Sequence, residues 1–318
     1  VPARTRWVVL GLAAGAVAVL PELVPSGYVL GTLVFVGLNA LAALGLTLVM
    51  GFAGQVSLGQ AAFFAIGAYT SGALTASYGW NGWAALPVAV AAGALAAFLV
   101  GLPIFRLSGL LLAMATLGFG IIVYYILVNW SSVTGGPSGL TGIPPLRLGP
   151  IVFSTDAWAL RLTWGCLLMA LGLSANVVDS RIGRALRAIH GSEAAARAVG
   201  VDATRLKLGV FAAAGGLTAL AGALYAHYLT FINPSPFSFA YSVELVVMVV
   251  LGGVASLWGA VLGAALVVVL VEALRALIPW LTAVHGAAEY EIVIFGALLM
   301  AMMIFLPGGL TGLRRRAA

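Results

Sequence analysis

Twenty-three consecutive residues from Tyr28 to Met50 carry no charge, and neither do the 23 from Trp83 to Phe105. A helix needs about 20 predominantly apolar residues to cross roughly 30 Å of hydrocarbon, so runs of this kind place the chain in a bilayer. Ten apolar runs are legible: Trp7 to Leu20, Tyr28 to Met50, Ala61 to Tyr78, Trp83 to Phe105, Leu107 to Val128, Ala157 to Val178, Leu208 to Tyr228, Val243 to Leu257, Ala260 to Ile278 and Ile292 to Leu306. The first and eighth are short for a full crossing, which fits kinking, extension by flanking residues or partial re-entry. The expected fold is all-α, a polytopic integral membrane protein of about ten transmembrane or partly re-entrant helices forming one transmembrane domain over residues 1–318.

Composition closes the alternatives. The 318 residues are 63% hydrophobic and 8% charged, with a mean hydropathy of +1.14, whereas soluble domains run about 45–50% apolar and about 25% charged. An outer-membrane barrel alternates apolar and polar residues in segments of about ten, and these runs are unbroken. Cys166 is the single cysteine, so no disulfide scaffold is possible, and in an apolar run it reads as a small packing residue. The net charge of +6 does not point to nucleic acid, because no solvated basic domain fits between the runs.

In a membrane chain, excess Lys and Arg report orientation by gathering in short cytoplasmic loops. With ten crossings and an internal N-terminus, 12 of the 15 basic residues fall inside, leaving only Arg147, Arg161 and Arg275 outside or near the outer face. Both termini are then expected in the cytoplasm. A basic flank before an apolar run also resembles a cleavable signal, but the run ends in Leu20-Pro21-Glu22 with no small-x-small site, so a retained helix is expected.

Two loops differ from the rest. The outer loop, 129–156, holds Thr134-Gly135-Gly136-Pro137-Ser138-Gly139-Leu140 and Pro144-Pro145, a turn-dense stretch with little reason to form a helix. The inner loop, 179–207, carries six basic and three acidic residues. Within it Ser192 is a good N-cap, Glu193 suits the positive end of a helix, Ala194 to Val199 favour helix and Gly200 is a natural C′ stop. A short helix there either inserts into a groove of a partner protein or lies on the anionic inner leaflet.

Enzyme signatures are missing. His190, His227 and His285 have no partner at metal-ligand spacing, there is no phosphate-binding Gly-Lys-Ser/Thr loop, and no catalytic or metal site is expected. Transport needs broken helices and polar groups around a path, and two breaks occur. Gly51-Phe52-Ala53-Gly54-Gln55-Val56-Ser57-Leu58-Gly59-Gln60 joins the second and third runs, and Gly252-Gly253-Val254-Ala255-Ser256-Leu257-Trp258-Gly259 joins the eighth and ninth. Each reads equally as a tight turn with small residues for helix packing, or as a place where the backbone leaves the helix and the next helix offers free N–H groups to a carboxylate. On the second reading Gln55, Ser57, Gly59, Gln60 and Ser256 border the path, and Phe52, Leu58 and Phe63 supply an apolar wall. Asn39 reads either as an interhelical hydrogen bonder or as a path residue. Glu272 and Arg275 are spaced to neutralise each other, and Glu244 near the outer surface reads as a snorkelling acid.

The stretch from Gly51 to Phe63, the outer Thr134-Gly135-Gly136 and the run Ser242-Val243-Glu244-Leu245-Val246-Val247-Met248-Val249-Val250-Leu251-Gly252-Gly253 together resemble the LivM-type permeases of branched-chain amino acid ABC importers over nearly the whole chain. The resemblance implies a LivH-type second permease, two cytoplasmic ATPase subunits that use ATP and Mg, and an extracytoplasmic binding protein delivering leucine, isoleucine or valine at the cytoplasmic (inner) membrane. It implies no cofactor bound by this chain. It also implies that Ser192, Glu193, Ala194, Ala195, Ala196 and Gly200 form the ATPase coupling element, with Arg197 standing where an acidic residue is often found. The same permease family includes importers of urea and other small polar solutes. A secondary transporter would need unpaired membrane acids, and a channel has no need of an ATPase-docking helix.

Overall fold

The computed structural model describes residues 3–24, 26–107, 109–149, 151–281, 296–297 and 309–311. The helices are α1 (Ala3–Leu23), α2 (Gly27–Thr47), α3 (Gln60–Ala76), α4 (Gly82–Ile104), α5 (Leu110–Asn129), α6 (Ser131–Thr134), α7 (Asp156–Asp179), α8 (Arg181–Gly191), α9 (Glu193–Ala198), α10 (Ala203–Leu229), α11 (Phe239–Gly252) and α12 (Leu257–Leu281). Nine of the ten apolar runs become helices, and the tenth, with His285 and Arg314 to Arg316, lies outside the described residues apart from 296–297.

Among the described residues six helices are long and apolar enough to cross a membrane: Gly27–Phe52, Gly82–Ile104, Leu110–Asn129, Asp156–Asp179, Ala203–Leu229 and Leu257–Arg275. The apolar stretch Leu10–Leu23 and the helix Phe239–Gly252 are shorter. At 1.5 Å per residue the 14 residues of α11 rise about 21 Å, less than the roughly 30 Å of hydrocarbon.

Helix α2 is the axis of the bundle. Val34, Val36, Leu38 and every residue from Ala40 to Leu46 are buried, and it packs against α7, α10, α11 and α12. Helix α10 is the second hub, gripped by α3 and α4. Membrane helices gain no hydrophobic advantage from leaving lipid, so they rely on close backbone approach. A Cβ at Gly67 of α3 would sit 2.0 Å from the Ala219 carbonyl of α10, and one at Gly222 would sit 1.9 Å from the Phe64 carbonyl. The α3–α10 contact therefore exists only with glycine at both places. Cys166 is half-buried and packs against this core.

The two ends differ. At one end the connection 130–155 contains α6, a single turn of 3-10 helix at Gly136–Ser138 and a hairpin pairing Arg147 with Val152. The expectation of little helix holds except for these turns, and Leu140 and Ile232 bridge the connection to the segment after α10. His227 also tethers it. Its Nδ1 lies 2.8 Å from the Pro144 carbonyl, which can only accept, so Nδ1 carries the proton and Nε2 accepts from the Ser71 hydroxyl at 2.8 Å. The opposite end carries α8 and α9.

Candidate functional site

The basic end is built from three caps in succession. Ser180 Oγ accepts from the Ile182 amide at 3.1 Å to start α8, Ser192 Oγ accepts from the Ala195 amide at 3.3 Å to start α9, and Asp202 accepts from the Arg205 amide at 3.1 Å to start α10. The short helix expected from Ser192 to Val199 is present as Glu193–Ala198, and Gly200 closes it with φ +85°. Helix α8 was not read from the sequence. Its signal was there: Gly183, Leu186 and Ile189 are its buried residues, one helical face at i, i+3 spacing, while Arg181, Arg184 and Arg187 stand in solvent.

Ile189, Ala196 and Ala203 form a small apolar cluster that pins α8, α9 and the start of α10 together. Glu193 adds a polar clamp, accepting from Lys207 Nζ and, at 2.7 Å, from Arg197. The Lys207 hydrogen bond, with both cations nearby, holds the Glu193 carboxyl below the ordinary carboxylate range. Ala194, Ala195 and Ala198 remain exposed, and Val199 is 79% exposed. The result is a braced helix pair that presents small apolar side chains outward.

The two glycine-rich breaks, about two hundred positions apart in sequence, meet at this end. A Cβ at Gly51 would lie 1.8 Å from the Val254 carbonyl, so the first break rests directly on the second. His190, the next-to-last residue of α8, reaches the same place, its Nδ1 lying 3.0 Å from the Gly51 carbonyl. Gly51, Phe52, Arg187, His190, Gly191 and Ala255 line an open recess of about 510 Å³ there. His190 carried no distinguishing sequence signal; only the fold brings it to the break.

The path candidates from the sequence divide. Ser57, Gly59 and Gln60 are buried. Gln60 Oε1 accepts from the Thr218 hydroxyl at 2.9 Å, and its buried Nε2 has no partner among the described residues. Gly59 presses on the Thr116 carbonyl of α5, which a Cβ would approach to 2.8 Å. Gln55 is half-buried between exposed Gly54 and Val56. Ser256, also half-buried, accepts from the Gly259 amide at 3.1 Å and so caps α12. The donors expected at the start of α3 are occupied in this structure: the Ala61 amide donates to Ser242 Oγ and the Leu58 amide to Thr116 Oγ1, both at 3.0 Å. Phe63 is fully buried against Phe119 and Phe211 rather than forming an open wall.

Asn39 takes the interhelical hydrogen-bonding role of its two expected ones. Its Nδ2 donates to the Phe35 carbonyl at 3.0 Å, its Oδ1 accepts from the Tyr241 hydroxyl at 2.9 Å, and the side chain lines a cavity. Glu272 accepts from Arg275 at 3.3 Å, as the spacing predicts, and also from the Tyr28 hydroxyl at 2.6 Å.

Residues 28–303 match the family described as the branched-chain amino acid transport system / permease component. The chain is 35% identical over 295 residues to the high-affinity branched-chain amino acid transport system permease proteins LivM of Salmonella typhimurium and Escherichia coli K12, covering 86% of this chain and 67% of theirs. It is 27% identical over 293 residues to LivH of Salmonella typhimurium, covering 86% of this chain and 91% of that one. No solved structure matches it.

Proposed function

The chain belongs to the family of branched-chain amino acid transport permease components, a transport subunit rather than an enzyme, and from that premise we propose that it lines an ATP-driven import path for leucine, isoleucine and valine. In this reading a LivH-type permease completes the path, one of two ATPase subunits that use ATP and Mg docks on α8 and α9, and an extracytoplasmic binding protein delivers the solute to the end formed by 130–155. The basic end and both termini then face the cytoplasm, in keeping with the distribution of Lys and Arg.

The observation that carries the proposal is the contact of His190 with the Gly51 carbonyl. An ATPase that shifts the braced α8–α9 pair pulls on the first break directly, while the second break, against which the first rests through Gly51 and Val254, serves as its fixed support. Ser192, Glu193, Ala194, Ala195, Ala196 and Gly200 hold the docking surface in shape, while Gln55, with Ser57, Gly59 and Gln60 behind it, borders the path. Ser256 supports that border by capping α12.

Two experiments test this. The first is purification from native membrane with identification of the associated chains, which should return a second permease and ATPase subunits; a chain that purifies alone and catalyses ion-coupled uptake would contradict the proposal. The second is Gly200→Val. Gly200 has open space around it, so the change acts only through its left-handed backbone, at a cost of about 1–2 kcal/mol. ATP turnover and uptake should uncouple while insertion survives. Normal coupled uptake would remove α9 from the mechanism.

A further inference from the structure

Between α2, α3, α10 and α11, beneath the segment 230–238 that links α10 to α11, lies a cavity of about 120 Å³. Its walls are the rings of Phe35, Phe64, Tyr225, Phe237 and Tyr241, which contact one another edge to face or tilted at centroid distances of 5.1–6.4 Å. Leu38, 1% exposed, closes it from α2. Phe35, Asn39, Tyr225 and Tyr241 are only half-buried, so the cavity is not sealed.

Resting on the functional reading above, we propose that this aromatic chamber receives the branched aliphatic side chain of the amino acid in transit. Size favours that occupant. A cavity of about 150 Å³ lined by apolar side chains takes up benzene, so this slightly smaller one suits the three or four carbons of valine, isoleucine or leucine. Chemistry favours it too. The walls offer apolar ring faces, and the polar groups are few, as in sites that orient a mostly apolar ligand. Those groups are the Asn39 amide and the Tyr241 hydroxyl, which bond each other, and the Tyr225 hydroxyl, which makes no hydrogen bond among the described residues. Urea fits by volume but would lose most of its hydration against ring faces, with the Tyr225 hydroxyl the one side-chain group among the described lining residues left to replace it.

The position adds a consequence. The Asn39–Tyr241 hydrogen bond ties α2 to α11, and these two helices run on into the first and second breaks respectively. A side chain seated beside that bond touches both helices at once.

The test is ATP-driven uptake by the assembled transporter in vesicles, with the binding protein held constant and leucine compared with valine. A hydrophobic pocket discriminates against one excess methylene by about 10–200-fold. Leu38→Phe, which fills the chamber, should lower the leucine-to-valine uptake ratio about tenfold. Phe35→Leu, which opens it, should shift the ratio the other way. A reversal between the two variants cannot come from loss of folding, and if Leu38→Phe fails to assemble, Phe35→Leu decides alone. Unchanged ratios in assembled variants overturn the chamber and leave the functional reading standing. A wild-type transporter that moves none of the three amino acids overturns both.

Discussion

The two glycine-rich breaks look alike in sequence and are built for different work. In the second, Gly252 would place a Cβ 1.8 Å from the Gly259 carbonyl, and Gly263 one 1.8 Å from the Met248 carbonyl. Glycines on both helices let the α11 and α12 backbones touch, and Ser256 caps the turn, so this break is a packed corner. The first break instead unwinds through a five-residue π-helical segment, Leu48–Phe52, and then runs without helix from 53 to 59. It exposes Gly54 and Val56, and it receives the His190 side chain. A π segment marks a place where the helix is already loosened. Similar glycine content therefore serves close packing in one break and departure from the helix in the other.

The largest expected effect breaks the packed corner. Gly252→Leu or Gly263→Leu forces apart helices in backbone contact, an overpacking of about 1–3 kcal/mol or more. The yield of assembled complex in size-exclusion chromatography should collapse, with thermal unfolding shifted down. If either variant assembles normally but transports poorly, the second break belongs to the path after all.

A smaller effect should separate the breaks by function. His190→Ala removes one hydrogen bond, worth about 1 kcal/mol, from the first break; Ser256→Ala removes a cap of similar worth, about 1 kcal/mol, from the second. Measured as solute moved per ATP hydrolysed, the His190 variant should fall and the Ser256 variant should not, although both should lose a little thermal stability. Equal coupling in the two would dissolve the distinction.

The smallest effect depends on pH. The folded-state carboxyl of Glu193 is depressed, so its contribution is complete at neutral pH and is lost as pH falls through and below the ordinary carboxylate range. Because Glu193 is about a third exposed, with 32% side-chain accessibility, the loss should stay under about 1 kcal/mol. Limited proteolysis should find the α8–α9 segment more cleavable at low pH, Glu193→Gln should show that susceptibility already at neutral pH, and the α11–α12 corner should not respond.

Much of this was legible in sequence because bilayer length and capping are local. Span-length runs need only a count, and Ser192, Glu193 and Gly200 mark the ends of a helix by their own chemistry. Burial was harder to read. A membrane helix is apolar on every side, so polarity does not say which face meets protein and which meets lipid. That is why Gln60 and Ser57 read as bordering a path without any sign that both are fully buried, and why Phe63 read as a wall but sits in an aromatic stack. The meeting of Gly51 with Val254 is a tertiary fact with no local trace. Helix α8 is different: its apolar face was visible at i, i+3 spacing but masked by the arginines around it.

Single cysteines in a Cys166→Ser background test the central contrast most directly. Position 56, 40% exposed in the first break, is compared with position 260, which is fully buried behind the second. In the assembled transporter a membrane-impermeant maleimide should label Val56→Cys at a rate that changes when ATP is supplied, and should leave Ala260→Cys unlabelled throughout. Labelling at 260 that follows ATP, or labelling at 56 that ignores it, would contradict the assignment of the first break to the moving path and the second to fixed packing.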